Sequence, residues 1–247
     1  MATTPYAQAF VFDHTAHAHS PAQPPPTVQP PAPPAPPTSS RFAPAVSQDC
    51  AGLAALRTRH GALLCLDEAH ATLVCGEHGG GAAEAAGVSA QVDVHVGTLS
   101  KAFGAHGGFV ACDASLKHLL LSRGRPGVYS TALPLPAVAA AAAALRVATP
   151  ALRQRLRANI DTFADATGVP RGGSHIVPII VGDATDALAA SSALLSRGFH
   201  VPAIRPPTVP AATSRLRVAL TAAHTRNAVI ALARALARTG VLSKLPR

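Results

Sequence analysis

The chain has 247 residues, of which 48% are hydrophobic and 13% charged, so it is long and apolar enough to bury a sizeable core. Its 21 Lys and Arg residues outnumber 12 Asp and Glu residues, and the formal net charge of +9 favours anionic ligands and excludes an acidic solvating tail. The four cysteines form no C-x-x-C pair, which argues against a disulfide framework or a zinc site and indicates a reducing compartment. We therefore expect a cytoplasmic protein, with delivery to an organelle left open.

Residues 1–48 differ in composition from the rest of the chain. Ten prolines lie between Pro21 and Pro37, a pattern typical of polyproline II and of a disordered tail that packs no core. The side chains ahead of them that could ligate a metal are Asp13, His14, His17 and His19. A flexible segment without cysteine rarely fixes a tetrahedral site, so we favour a solvated histidine-rich leader and predict no metal site.

Beyond residue 50, apolar runs of two different periods alternate along the chain. In chain order, the predicted elements are a helix around Leu53, strands at 61–66, 92–96 and 107–112, helices at 115–122, after Pro136 and at 152–163, a strand at 176–181, a helix at 184–196, strands at 200–204 and 215–220, and a helix from about Thr225. This alternation predicts an α/β fold with a largely parallel sheet. The most apolar stretch, 137–145, is only half a membrane span, and the N-terminus lacks the basic flank and apolar block of a secretory signal, so we expect no membrane association.

Polar side chains follow two of the predicted strands. Asp67-Glu68-Ala69-His70 comes after the first strand, and the segment 97–104, which contains Thr98 and Lys101, follows the second. Ligands of such sheets bind at the carboxyl ends of the strands. We therefore expect a carboxylate, an imidazole, a hydroxyl and an amine to lie together at one edge of the sheet.

The letters D-E-A-H also occur in nucleic-acid motors, where they help to hold magnesium. Those enzymes need a G-x-x-x-x-G-K-[ST] loop for the phosphates, and that string is absent from this sequence. Aromatic residues make up only 4% of the chain, too few for a stacking platform. We therefore expect no nucleic-acid partner.

Lys101 is one of only three lysines, and it lies in a turn of small residues after a buried strand. Partial desolvation lowers the pKa of such an amine and suits it to form a Schiff base, as in pyridoxal-phosphate enzymes. A carboxylate such as Asp67 could face the pyridinium nitrogen of that cofactor. Singly, Asp67 reads equally as a helix cap, His70 as a loop histidine and Lys101 as a solvated charge, but together their order favours a cofactor site.

Six strings of the sequence carry a resemblance to a known family. They are L-D-E-A-H-A-T at 66–72, G-E-H-G-G-G at 76–81, V-D-V-H-V-G-T-L-S-K-A-F-G at 92–104, Y-S-T-A-L-P at 129–134, I-R-P-P-T-V-P at 204–210 and R-L-R-V-A-L-T-A-A-H at 215–224. In these strings the chain resembles the α-oxoamine synthases, which are pyridoxal-phosphate enzymes of fold type I. The R-P-P-T-V-P string is similar to the branch that makes 8-amino-7-oxononanoate for biotin.

The resemblance implies roles for residues around the cofactor, pyridoxal 5'-phosphate. Lys101 would bind it as a Schiff base and later move the substrate proton. Asp67 would pair with the pyridine nitrogen and His70 with the phenolic oxygen, while Thr98 would contact the phosphate.

Further residues are implied to act at the phosphate of a partner subunit and at the substrate. Ser130 and Thr131 would reach the phosphate across a homodimer with shared active sites. Arg205 would hold the amino-acid carboxylate through a bidentate pair, with Thr208 beside it.

The resemblance also implies a reaction and a domain organisation. An acyl-CoA, pimeloyl-CoA, would condense with an amino acid, L-alanine, with loss of coenzyme A and carbon dioxide. Residues 49–150 would form part of the large cofactor-binding domain, and 151–247 a smaller C-terminal domain. Two alternatives stay open: a related α-oxoamine synthase with another acyl-CoA and amino acid, and a shortened, catalytically impaired member that acts only as a dimerisation module.

The chain departs from the family pattern in two places. A long N-terminal half precedes D-E-A-H in the family, and without its strands we expect apolar sheet edges to be exposed. Gly-Thr-Gly follows D-E-A-H in the family, whereas this chain has Ala71-Thr72-Leu73. We expect Leu73 to strain that turn, because glycine permits backbone geometry that leucine resists.

Overall fold

The computed structural model describes residues 9–12, 49–171 and 174–244. The disordered tail predicted over 1–48 and the histidines within it therefore lie outside the described residues, apart from 9–12. Those four residues form a strand, β1 (Ala9–Phe12), which the sequence analysis did not predict.

The first sheet has the strand order β1-β2-β3-β4, where β2 is Leu63–Asp67, β3 is Val94–Thr98 and β4 is Gly108–Cys112. Strands β2 and β3 are parallel, whereas β1 pairs with β2 and β4 with β3 in antiparallel register. The segment between β3 and β4 is too short for the helical crossover that parallel neighbours require. The predicted parallel pairing is thus present at β2 and β3, and the flanking pairs depart from it.

Five helices accompany the first sheet: α1 (Cys50–His60), α2 (Ala82–Ala85), α3 (Ala114–Arg123), α4 (Arg125–Val128) and α5 (Leu135–Val147), with a 3-10 turn at Ser89–Gln91. Carboxylates cap two of them, since Asp49 accepts from the Gly52 N–H and Asp113 from the Leu116 N–H. A small core forms where α1 packs on β2, and it contains Cys50, Leu64, Leu66 and Ala83.

The second sheet has the order β5-β7-β6 and is antiparallel throughout. Its elements are α6 (Pro150–Thr167), β5 (Ile176–Gly182), α7 (Ala184–Leu195), β6 (Ala203–Ile204), β7 (Ser214–Ala219) and α8 (Arg226–Arg238), followed by a 3-10 turn at Val241–Lys244. The helices pack on the sheet around a large apolar core that includes Phe163, Leu194, Leu216 and Leu236, all of them fully buried.

The predicted α/β fold is confirmed, and its strands and helices lie close to their predicted positions. The strand predicted at 200–204 is shorter, with only Ala203–Ile204 in the ladder. Pro202 accounts for this, because it has no N–H to donate and only its carbonyl is bonded, by the Arg217 N–H at 2.9 Å. The predicted division near residue 150 stays a prediction; the two cores share Val74.

Among the helices that the structure describes, none is by itself both long and apolar enough to cross a membrane. Helices α5 and α6 meet that test only as a pair, and they bend by 78° at the break between them.

Candidate active site

The parallel pairing of β2 and β3 brings their carboxyl ends to one edge of the first sheet. Asp67 lies opposite Val96, and Thr98 follows two residues later on β3. The Asp67 carboxylate is half-buried and accepts a hydrogen bond from the Ala69 N–H at 2.9 Å. The predicted convergence of the two strand ends is therefore present.

A cavity of about 610 Å³ lies beside this edge, between the loops of the first sheet and the second sheet. His70 and Lys101 line it from the loops after β2 and β3. His175, just before β5, and Arg217 on β7 line it from the second sheet. Its size falls within the range of small-molecule sites, and both halves of the described structure contribute to it.

Two neutral imidazoles face each other in this cavity. The ring centroids of His70 and His175 are 6.4 Å apart and their planes are tilted by 41°. Burial, followed by the positive charges of Lys101 and Arg217, lowers the pKa of His70 from 6.5 to about 4. Burial and Arg217 likewise lower the pKa of His175 to about 4. Both rings are therefore uncharged at neutral pH, and each can act as a hydrogen-bond donor and acceptor.

Lys101 lies in a tight loop whose backbone is fixed by hydrogen bonds. The Leu99 N–H donates to the Gly107 carbonyl at 2.9 Å, and the Gly104 N–H donates to the Lys101 carbonyl at 3.0 Å. The Lys101 side chain is exposed and makes no hydrogen bond or ion pair with any residue that the structure describes. Its amine is thus free to react with a molecule in the cavity.

Thr98 is close to this loop but its hydroxyl is already engaged. Its Oγ1 lies 2.7 Å from the Ser100 hydroxyl and 3.2 Å from the Gly107 carbonyl, to which it donates. Thr98 does not line the cavity, and its predicted contact with a phosphate stays a prediction.

Glu68, the second residue of D-E-A-H, has a structural role that the sequence analysis did not assign. It is only 2% exposed, and its carboxylate accepts from the N–H groups of Ala82 at 2.5 Å and Ala83 at 3.0 Å. A side chain at Gly81, where φ is 112°, would collide with that carboxylate. The glycines of G-E-H-G-G-G therefore let the chain fold over Glu68, which holds the loop that carries His70.

Leu73 adopts the strained geometry expected from its place in the D-E-A-H turn. Its φ is 66°, in the left-handed region that leucine rarely occupies. The Leu73 N–H donates to the Gly79 carbonyl at 2.8 Å, which holds the turn in this conformation.

Four of the predicted site residues lie away from the cavity in this chain. Ser130 and Thr131 are exposed, and the Ser130 hydroxyl donates to the Pro126 carbonyl. Arg205 and Thr208 are exposed in one turn, where the Thr208 N–H donates to the Arg205 carbonyl at 3.1 Å. Their predicted contacts with a partner subunit and a substrate stay predictions.

The sequence analysis missed His175 and Arg217. The alternation of β7 was a usable signal, since Ser214, Leu216 and Val218 are buried and Arg217 therefore points to the opposite face. No comparable signal identified His175, whose position depends on the packing of the two sheets.

Comparison with known proteins identifies the family. The description "Aminotransferase class I and II" matches residues 47–236. The chain belongs to this family. It is 50% identical over 186 residues to the 8-amino-7-oxononanoate synthase of Arabidopsis thaliana, a match that covers 74% of this chain and 39% of the relative. It is 53% identical over 201 residues to the synthase of the same name from Anaeromyxobacter dehalogenans strain 2CP-C, covering 78% of this chain and 50% of the relative.

Solved structures support the same assignment. A Sphingomonas wittichii serine palmitoyltransferase superposes with a TM-score of 0.72 at 33% identity, covering 78% of this chain and 51% of that one. An 8-amino-7-oxononanoate synthase from Francisella tularensis gives a TM-score of 0.63 at 27% identity, covering 72% of this chain and 55% of that one. The resemblance to α-oxoamine synthases and the fold type I architecture are thus confirmed. The chain spans about half the length, or less, of the relatives it matches.

Proposed function

We propose that the chain is a pyridoxal-phosphate-dependent acyltransferase that condenses an acyl-CoA with an amino acid, with pimeloyl-CoA and L-alanine as the preferred pair. The observation that carries this proposal is the shared cavity, in which the free amine of Lys101 lies beside the neutral imidazole of His70. The identities of 50% and 53% to 8-amino-7-oxononanoate synthases support the choice of substrates.

The residues that line the cavity fit this cofactor. A primary amine, an uncharged imidazole and the cations Arg153 and Arg217 face the cavity, and none of its described lining residues is acidic. Such walls suit an aldehyde that carries a phosphate. Lys101 would hold the cofactor covalently, His70 would bond its phenolic oxygen, and Asp67 and Thr98 would meet its ring nitrogen and phosphate from the adjoining strand ends. When bound, the cofactor supplies an electron sink for the α-carbon of the amino acid.

The side chains of this protein would bind the substrate and move its proton. Arg217 is half-buried, lines the cavity and makes no side-chain hydrogen bond or ion pair with described residues. It is therefore better placed than the exposed Arg205 to hold the amino-acid carboxylate as a bidentate partner. The amine of Lys101 would take the α-proton, since no acidic group lining the cavity competes for that role among the described residues.

A panel of substrates tests this proposal. Release of coenzyme A is measured with pimeloyl-CoA or palmitoyl-CoA as the thioester and with alanine, glycine or serine as the acceptor. We expect pimeloyl-CoA with alanine to react fastest, and Lys101→Ala to abolish release while Lys117→Ala, at an exposed lysine on α3, leaves it unchanged. Preference for palmitoyl-CoA with serine would instead indicate a synthase like the Sphingomonas neighbour.

A second candidate is a dimerisation module without catalysis. It is favoured by the fact that Ser130, Thr131, Arg205 and Thr208 lie outside the cavity of this chain. Absence of coenzyme A release with every pair, in a sample that sediments as a dimer, would select this candidate. The homodimer itself and the cytoplasmic location stay predictions.

A further inference from the structure

Arg153 is a buried cation at the wall of the cavity. It is the fourth residue of α6 and only 8% exposed. One terminal nitrogen donates to the Ala148 carbonyl at 2.9 Å and the other to the Glu77 carbonyl at 2.8 Å. Its Nε is buried and has no partner among the described residues. A guanidinium has five N–H groups, so these contacts leave part of its donor capacity unused.

The positive charge of Arg153 is not neutralised by a carboxylate in the part of the chain that the structure describes. The more exposed Arg57, by contrast, forms a bidentate pair with Asp93 at 2.9 and 2.6 Å. Arg153 also lies in the first turn of an 18-residue helix, where the helix dipole disfavours a cation. A buried and unpaired charge at such a position is unfavourable unless an anion binds beside it.

The wall around Arg153 is apolar. The cavity-lining side chains contributed by its own helix and by the loop after D-E-A-H are Leu73, Val74, Leu152 and Leu156. Hydrocarbon walls next to a single unpaired guanidinium match a ligand with an apolar chain and an anionic end. Lys101 and Arg217 line the same cavity from other elements and are occupied separately under the proposed function.

We propose that Arg153 binds the terminal carboxylate of an acyl chain held in this cavity, and so selects acyl donors that end in a carboxylate. This inference rests on the proposed function for the identity of the acyl donor, whereas the binding site itself rests on Arg153 and its apolar surroundings. The other explanation for Arg153 is purely structural, since its two carbonyl contacts fasten the 76–79 turn to α6.

Direct binding separates these explanations without any need for turnover. Pimelate and heptanoate have the same chain length, and heptanoate lacks the second carboxylate. We expect the full chain to bind pimelate at least about tenfold more tightly than heptanoate in calorimetry, as one charge-assisted pair would provide. Arg153→Gln should reduce this preference to about twofold or less, whereas Arg155→Gln, an exposed arginine two residues further along α6, should leave it unchanged.

Arg153→Lys guards against loss of the fold in Arg153→Gln. It keeps the charge but not the planar donor geometry, so we expect an intermediate preference with an unchanged circular dichroism spectrum. Equal binding of the two acids to the unmodified chain would overturn the inference, as would a preference that survives Arg153→Gln. Displacement of pimelate by inorganic phosphate, lost in Arg153→Gln, would identify a phosphate site and also overturn it. Because these readouts do not involve Lys101, their failure is distinct from failure of the proposed function.

Discussion

Residues 150–244 and residues 114–147 handle their apolar side chains in opposite ways. In the first region, Phe163, Leu194 and Leu216 are completely buried between helices and sheet. In the second, Leu121 is 65% and Leu135 is 82% exposed, and most of the exposed large apolar side chains that the structure describes lie between 119 and 147. The contrast teaches that the C-terminal part forms a core of its own, whereas α3 and α5 carry a surface suited to burial against another polypeptide.

The largest effect that would sharpen this comparison is expected at Phe163. Phe163→Ala removes a fully buried ring and leaves a cavity, so we expect the free energy of unfolding in urea to fall by about 3–5 kcal/mol. Leu121→Ala is the matched control on the exposed helix and should change it by about 0.5 kcal/mol or less. Similar losses at both positions would remove the distinction between the two regions.

The cavity between the regions should make stability depend on pH. His70 and His175 have pKa values lowered to about 4 in the folded chain, against 6.5 in the unfolded chain. Below pH 6.5 the unfolded chain binds protons that the folded chain does not, so stability is complete above that pH and falls as the pH drops towards 4. One such imidazole corresponds to a loss of about 3 kcal/mol.

Urea titrations of unfolding at pH 7 and pH 5 check this expectation. His175→Asn should flatten the dependence between these two pH values, whereas substitution of the exposed His118 should not. An unchanged pH dependence in His175→Asn would show that the ring is not held neutral in the cavity.

A smaller effect is expected at Leu73, beside the residue that both cores share. Leu73→Val should lower the free energy of unfolding by about 1–2 kcal/mol, because a β-branched side chain resists the positive φ of 66°. Leu73→Gly relieves the backbone strain but loses side-chain contacts, so its net change should stay within about 1 kcal/mol. Thermal unfolding of the two variants side by side checks the order, and a valine variant as stable as the glycine variant would contradict it.

The smallest effect on stability is expected at the exposed apolar surface. Leu121→Ser combined with Leu135→Ser should alter the free energy of unfolding by about 0.5 kcal/mol. If a second copy covers this surface, the same variant should shift sedimentation from dimer to monomer. A large loss of stability in the monomer would show instead that these side chains are buried within one chain.

The sequence predicted the parts of the fold that depend on local pattern. Apolar runs located β2, β3 and β5, and Thr225 was correctly placed at the start of the last helix, where its hydroxyl caps α8. The antiparallel pairs and strand β1 were missed, because strand direction and a four-residue strand in a proline-rich segment depend on long-range pairing.

The candidate site was predictable only in part, for the same reason. Asp67, His70 and Lys101 follow strand ends, so a topological rule placed them together. His175, Arg217 and Arg153 reach the cavity from elements more than 70 residues further along the chain than His70. Their contribution depends on how the second sheet and α6 pack against the first, which local pattern does not determine.

The chemistry assigned to Lys101 is tested most directly by trapping the cofactor on the protein. The full chain is incubated with pyridoxal 5'-phosphate, reduced with borohydride and digested, and the modified lysine is located by mass spectrometry. With only Lys101, Lys117 and Lys244 available, the proposed function predicts a pyridoxyl group at Lys101, and none there after Lys101→Ala. Modification confined to Lys117 or Lys244, or absent from all three, would contradict it.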